Sequence, residues 1–202
     1  MKKTTGLLAL LCLATPASAQ DWSGFYAGGT LGYDSITANE LTWGDAGPVD
    51  LNGAGLGLFA GYSFQSGNLV YGAELAAIKH SGEADDGDYL RPMTALHSLG
   101  LRGRIGFVTG KMLPYLAIGT TRTAWEDNHS GLDDPFDLAN GTATGTSVAR
   151  GLDWSISDKS FLRVELENTR YGTDRMSFYD GTHFHEFEMD ATRISVGYAL
   201  QF

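Results

Sequence analysis

The last ten residues read Arg193-Ile194-Ser195-Val196-Gly197-Tyr198-Ala199-Leu200-Gln201-Phe202. Ile194, Val196, Tyr198, Leu200 and Phe202 alternate with Arg193, Ser195, Gly197, Ala199 and Gln201. Successive side chains of an extended chain point to opposite faces. The segment is therefore a strand with one apolar face and one small or polar face. A helix would scatter the same residues around its circumference.

Seven other segments repeat this period of two. Trp22 to Tyr33 puts Phe25, Ala27, Leu31 and Tyr33 together. Asn52 to Phe64 sets Leu56, Leu58, Ala60, Tyr62 and Phe64 against glycines. Leu69 to His80 sets Tyr71, Ala73, Leu75 and Ala77 against Gly72, Glu74 and Ala76. Ala95 to Val108 sets Leu99, Leu101, Ile105 and Phe107 against Ser98, Arg102 and Arg104. Thr144 to Ile156 sets Val148, Leu152, Trp154 and Ile156 against Ala149, Gly151 and Asp153. Ser160 to Tyr171 sets Leu162, Val164 and Leu166 against Arg163, Glu165 and Glu167. Met112 to Trp125 is less regular, and its outward face stays open. Three connectors are tight: Gln65 to Asn68, Thr109 to Lys111 and Ser157 to Lys159. The other four, roughly Asp34 to Asp50, Ser81 to Pro92, Glu126 to Gly141 and Gly172 to Asp190, are long and acidic. Eight strands joined by short and long connectors in turn are the pattern of a transmembrane β-barrel. The predicted fold is all-β, an eight-stranded antiparallel transmembrane barrel.

The amino terminus belongs to another process. Lys2 and Lys3 precede a short apolar run from Leu7 to Ala14, then Pro16 and Ala17-Ser18-Ala19. That is the layout of a secretory signal peptide with its small-residue cleavage site. The run falls short of the roughly 20 apolar residues a spanning helix needs. Residues 1–19 are read as signal peptide and 20–202 as the barrel domain. Cys12 is the one cysteine and leaves with the signal. The exported chain then has no disulfide, thiolate metal site or cysteine nucleophile. The full chain carries 14 basic and 24 acidic residues. Such an acidic chain repels phosphate backbones, so nucleic acid is not an expected partner.

Period two also fits a soluble barrel that hides its apolar face inside. The charges discriminate. The non-apolar faces collect Glu74, Asp153, Glu165 and Glu167 with Arg102, Arg104, Arg163 and Arg193. Four acids and four bases form a neutral set that can pair inside a narrow lumen, where an unpaired charge is costly. The apolar faces then meet lipid. Trp22, Phe25, Tyr62, Phe64, Tyr71, Phe107, Trp154, Tyr198 and Phe202 cluster toward the short-turn ends, as an interfacial aromatic belt does. Arg150 breaks the pattern: it falls on the outward face of the sixth strand, where it either lies near the outer headgroups with lipid phosphates as partners or is turned inward by a bulge that reverses the register.

The order of these motifs resembles the small OmpA/OmpX-like, opacity-protein-like (porin-like) family of Gram-negative outer-membrane barrels. Trp22-Ser23-Gly24-Phe25-Tyr26-Ala27-Gly28 is similar to its first strand, Pro114-Tyr115 with Gly119 to its fifth, Leu162-Arg163-Val164-Glu165 to its seventh and Arg193 to Phe202 to its last. Ala149-Arg150-Gly151-Leu152-Asp153 departs from the Gly-x-Gly-x-Glu pattern of the family's sixth strand. The resemblance implies an outer-membrane location and assembly by the barrel-assembly machinery. Tyr198, Leu200 and the terminal Phe202 would form the assembly signal. It implies no peptidoglycan-binding role, since such a domain would follow the barrel.

Other motifs point elsewhere only weakly. Gly53-Ala54-Gly55-Leu56-Gly57 lacks the following helix that a nucleotide loop requires. His183-Phe184-His185 offers two imidazoles without a third ligand at a fixed spacing. His97 and Ser98 are adjacent in a strand and so face opposite ways. No cofactor, metal or catalytic residue is expected. The expected function is a non-enzymatic barrel serving envelope integrity or surface interaction, with acidic loops outside and outer-membrane lipid and lipopolysaccharide as surroundings. The alternatives are a small pore and a lipid-A-modifying barrel enzyme.

Overall fold

In the computed structural model the described residues are 20–40, 49–81, 93–127, 141–177 and 184–202. The signal-peptide reading of residues 1–19 and the site of His183 lie outside them. Eight strands follow one another: β1 Gly24–Glu40, β2 Val49–Ser66, β3 Leu69–His80, β4 Met93–Phe107, β5 Met112–Asp127, β6 Gly141–Ser157, β7 Ser160–Ser177 and β8 Phe184–Gln201. Each pairs antiparallel with its neighbours, and β8 closes on β1. Closure leaves no strand edge to be satisfied, which hydrocarbon demands.

The register sets the tilt. Following paired residues outward from Phe64 gives Tyr71, Ile105, Leu116, Arg150, Leu166, Ile194, Tyr33 and then Ala54. The path re-enters β2 ten residues from its start. That stagger inclines the strands by about 35–45° to the barrel axis. Phe64 stands at the short-turn end and Ala54 at the other, so the path also ranks its residues by height.

The outer face is apolar. Leu31, Leu58, Leu75, Leu99, Ile118, Val164 and Val196 are all more than half exposed, as lipid-facing side chains are when lipid is not included in the surface. Phe25, Tyr62, Phe64 and Tyr71 form a continuous aromatic belt, with successive ring centroids 4.6, 4.7 and 5.6 Å apart. The tight turns use Gly67 and Gly110 at φ of 60° and 61°, a left-handed conformation that glycine adopts without a Cβ clash.

Three expectations change. The open question of β5 resolves, with Met112, Leu116 and Ile118 outward and Leu113, Tyr115 and Ala117 buried inside. Trp22 is not a belt residue: it precedes β1, is 4% exposed and packs under the barrel against Phe161 at 5.6 Å. The long connectors are shorter than the alternation suggests, because β1 continues to Glu40 and β8 begins at Phe184. Strands keep pairing beyond Asp34, with β1 and β8 paired as far as Glu40 and Phe187. Asp34, placed by sequence in a loop, is consequently a buried strand residue.

Candidate functional site

The lumen is filled in three tiers. The lowest is apolar. Trp22, Tyr26, Phe59, Val70, Leu113 and Phe161 project inward near the short turns and form one buried cluster. Sequence reasoning assigned Trp22 to the outer belt, and it left Tyr26, Phe59 and Phe161 unassigned, although their parity in the strands marks them as inward.

The middle tier is ionic. Seven of the eight lumen charges read from the sequence meet there. Glu74 Oε1 accepts from Arg102 Nε at 3.0 Å, and its Oε2 accepts from Arg163 Nη1 at 2.8 Å and Arg104 Nη1 at 3.0 Å. The Tyr26 hydroxyl donates to the same Oε2 at 2.8 Å. Asp153 accepts from Arg163 Nε at 2.8 Å and from Arg104 Nη2 at 2.6 Å. Glu165 accepts from Arg102 at 2.9 and 2.7 Å and from the Tyr115 hydroxyl. Glu167 accepts from Arg102 Nη1 at 3.0 Å. Arg163, Glu74 and Asp153 are each 1% exposed. The guanidinium of Arg104 lies 3.9 Å from the Tyr115 ring centroid, and that of Arg163 lies 4.1 Å from the Phe59 ring centroid, so cation–π contacts bind the ionic tier to the aromatics below. Gly61 makes room for the Tyr26 hydroxyl, where a Cβ would collide with it.

Arg193 stands apart from this lattice. Its Nη1 donates to both oxygens of Asp34 at 2.8 and 2.7 Å, and its Nη2 donates to the Gly55 carbonyl at 3.0 Å. Register places it opposite Glu167 on β7 and Asp34 on β1 alike. Glu167 is taken by Arg102, so the upper carboxylate receives Arg193.

The third tier extends from Asp34 toward the mouth. His80 Nδ1 lies 3.1 Å from Asp34 Oδ2 and His80 Nε2 lies 2.7 Å from Ser98 Oγ. Ser98 Oγ is 2.6 Å from Thr123 Oγ1, which is 2.7 Å from the Tyr171 hydroxyl. Ser98 thus has a histidine partner after all, on the neighbouring strand, while His97 is exposed on the outer face. A proton on Nδ1 lets His80 donate to Asp34 and accept from Ser98, the order of a nucleophilic relay. Ser98 is 4% exposed, however, and the cavity beside it measures about 10 Å³, room for about one water.

Outside, Arg150 keeps the register read from the sequence. It pairs with Leu116 and Leu166 and is exposed on the lipid face. It lies at the fourth of eight steps on the path from Phe64 to Ala54, hence at mid-height. An arginine there costs ~2–4 kcal/mol. Tyr198, Leu200 and Phe202 also face outward, near the short-turn end. The Phe202 amide donates to the Phe25 carbonyl at 2.8 Å, which ties the terminus to β1.

Comparison with known proteins agrees with this architecture. Residues 5–202 match the outer membrane protein beta-barrel domain family. The 25 kDa outer-membrane immunogenic protein of Brucella abortus is 30% identical over 182 residues, which span 90% of this chain and 81% of that protein. The 22 kDa outer membrane protein of Rhizobium leguminosarum bv. viciae is 27% identical over 89% of this chain and 78% of its own length. Neisserial surface protein A superposes with a TM-score of 0.56 at 17% identity, covering 89% of this chain and 98% of its own. OprG of Pseudomonas aeruginosa gives 0.56 at 15% identity, covering 92% and 99%. The chain is an outer-membrane protein and belongs to the outer membrane protein beta-barrel domain family.

Proposed function

We propose that the protein works as a closed, non-enzymatic barrel that contributes to envelope integrity and presents its upper end at the cell surface. One observation carries this reading: the guanidinium–carboxylate lattice of Arg102, Arg104 and Arg163 with Glu74, Asp153, Glu165 and Glu167 crosses the lumen above an apolar floor. An ion following the barrel axis would have to part buried, directly bonded charges. Eight strands also enclose an interior that side chains just fill. The purified protein in a planar bilayer should show no steady, porin-sized conductance, and a stable open level would overturn the closed-barrel reading.

The enzyme alternative has one feature in its favour, the Asp34–His80–Ser98 relay. The small cavity at Ser98 argues against it, because an acyl carbonyl needs space beside the nucleophile. We read the relay as a polar tie that holds β1, β3 and β4 together at the mouth. Lipopolysaccharide incubated with the protein should yield lipid A of unchanged mass.

A further inference from the structure

The outer wall is not uniform around the barrel. Among residues whose side chains are described, the outer strand faces from β3 to β7 carry Lys79, Arg122, Arg150 and Arg170 and no carboxylate. Outward acids stand on the flanking strands, Asp50 on β2 with Glu188 and Asp190 on β8, Asp190 directly beside Arg170. This basic sector belongs to a chain of net charge −10.

Two of the cations flank one place, with a third above it. Thr146 on β6 pairs with Thr120 on β5 and with Arg170 on β7. Arg122 is two residues further up β5, and its Nη2 donates to Thr142 Oγ1 at 3.1 Å, which turns its head upward, away from Arg150. Arg150 lies four residues below Thr146 on the same face, about 13 Å along the strand. Its stem can run up the apolar wall toward Thr146. Arg170 has a loose, exposed partner, Asp190 at 3.6 Å. Guanidinium groups offer paired N–H donors that match the oxygens of a phosphate.

Below and beside this place the wall is hollow. A groove of about 630 Å³ runs along β3 to β6, bounded by Tyr71, Ile105, Leu116, Ile118 and Val148. Volumes of about 300–1,000 Å³ are those of ligand clefts. The hollow exists because Ala73 and Gly103 pair side by side and present almost nothing outward. Packing does not require glycine at position 103. A Cβ there would meet only the Gly72 and Ile118 carbonyl oxygens, each at 4.0 Å, and glycine weakens a strand interior. Groove and cations adjoin, since Leu116 lines the groove and pairs with Arg150.

We propose that the β3–β7 wall binds a phosphorylated glycolipid of the outer leaflet, with an acyl chain in the groove at Ala73 and Gly103 and a phosphate between Arg150 and Arg170. The site rests on the membrane placement of the barrel, and not on whether the lumen conducts, so the planar-bilayer result and the lipid result stand or fall separately.

The test uses the barrel of residues 20–202 in phosphatidylcholine nanodiscs doped with bis-phosphorylated lipid A, with retained lipid read by native mass spectrometry. Wild type should keep the phosphorylated lipid A and lose a dephosphorylated one. Arg150→Leu and Gly103→Leu should each lower retention about tenfold, as loss of a charged hydrogen bond or of the chain's seat would. Both should still run as heat-modifiable barrels. In phosphatidylcholine alone, Arg150→Leu should unfold at higher urea than wild type, because its cation no longer faces hydrocarbon. Equal retention of the dephosphorylated lipid, unchanged retention in both variants, or displacement by inorganic phosphate would overturn the site. So would a lipid-free dimer, which would make the groove a contact between copies.

Discussion

Glu74 is the most connected carboxylate of the lumen, touching Arg102, Arg104, Arg163 and Tyr26. Replacing it by Ala leaves those guanidiniums short of an acceptor in a place water barely reaches. Breaking one partner of a buried ionic group costs ~3–5 kcal/mol. Glu74→Ala should therefore lower the urea midpoint of the refolded barrel by that order, and Glu74→Gln by less. Should both variants unfold with wild type, the lattice is not a stabilising element. Parity alone places Glu74, Arg102, Arg104, Asp153 and Arg163 on the inner face. Two of the contacts are direct cross-strand pairs, Glu74 with Arg102 and Asp153 with Arg163. The contact of Arg163 with Glu74 spans 89 residues and crosses the lumen. No local pattern reports such a contact, and the partner of Arg193 was hidden for the same reason.

At the scale of elements, the alternating connectors decide orientation. The tight turns Gln65 to Asn68, Thr109 to Lys111 and Ser157 to Lys159 share one end of the barrel with Trp22 and Phe202. Short turns of such barrels face the periplasm. An epitope tag inserted after Asp134, between β5 and β6, should bind antibody on intact cells. A tag after Asp158, between β6 and β7, should stay hidden until the outer membrane is opened, and the reverse labelling would invert the topology. Strand number and order were legible because alternation persists wherever one face meets lipid. Strand ends were not. Above the membrane both faces of Asp34 to Glu40 and of Phe184 to Asp190 are polar or mixed, so period two fades although pairing continues. The inward face of β5 was obscure because Leu113 and Tyr115 fill the lumen with apolar bulk, which erases the contrast on which alternation depends.

The whole molecule is closed by one seam, β1 on β8, with paired residues from Tyr26–Gln201 to Glu40–Phe187. Phe202 lies just past that seam and is 77% exposed. Replacing it by Ser removes an outward ring but no strand pairing, and its amide still reaches the Phe25 carbonyl. The ring is worth at most ~1.5–3 kcal/mol if lipid covers it. We expect Phe202→Ser to be exported but to accumulate poorly in the outer membrane, while the same protein refolds in detergent to a heat-modifiable barrel. Normal levels in the outer membrane would show that Phe202 is an interface anchor and not an assembly signal.

Sequence by itself determined the class of the fold, the number of strands, the face each of seven strands turns to lipid, and eight charges on the inner faces, though not Asp34, which joins them. These follow from a period of two read against a two-sided environment, and each is local along the chain. Only the tertiary structure decided that a stagger of ten residues carries Arg150 to mid-height beside a groove. It alone brought Asp34, His80 and Ser98 together at the mouth and turned Trp22 under the floor. Those arrangements depend on closure, because residues on strands remote in sequence become neighbours only when the sheet bends round until its two edges meet.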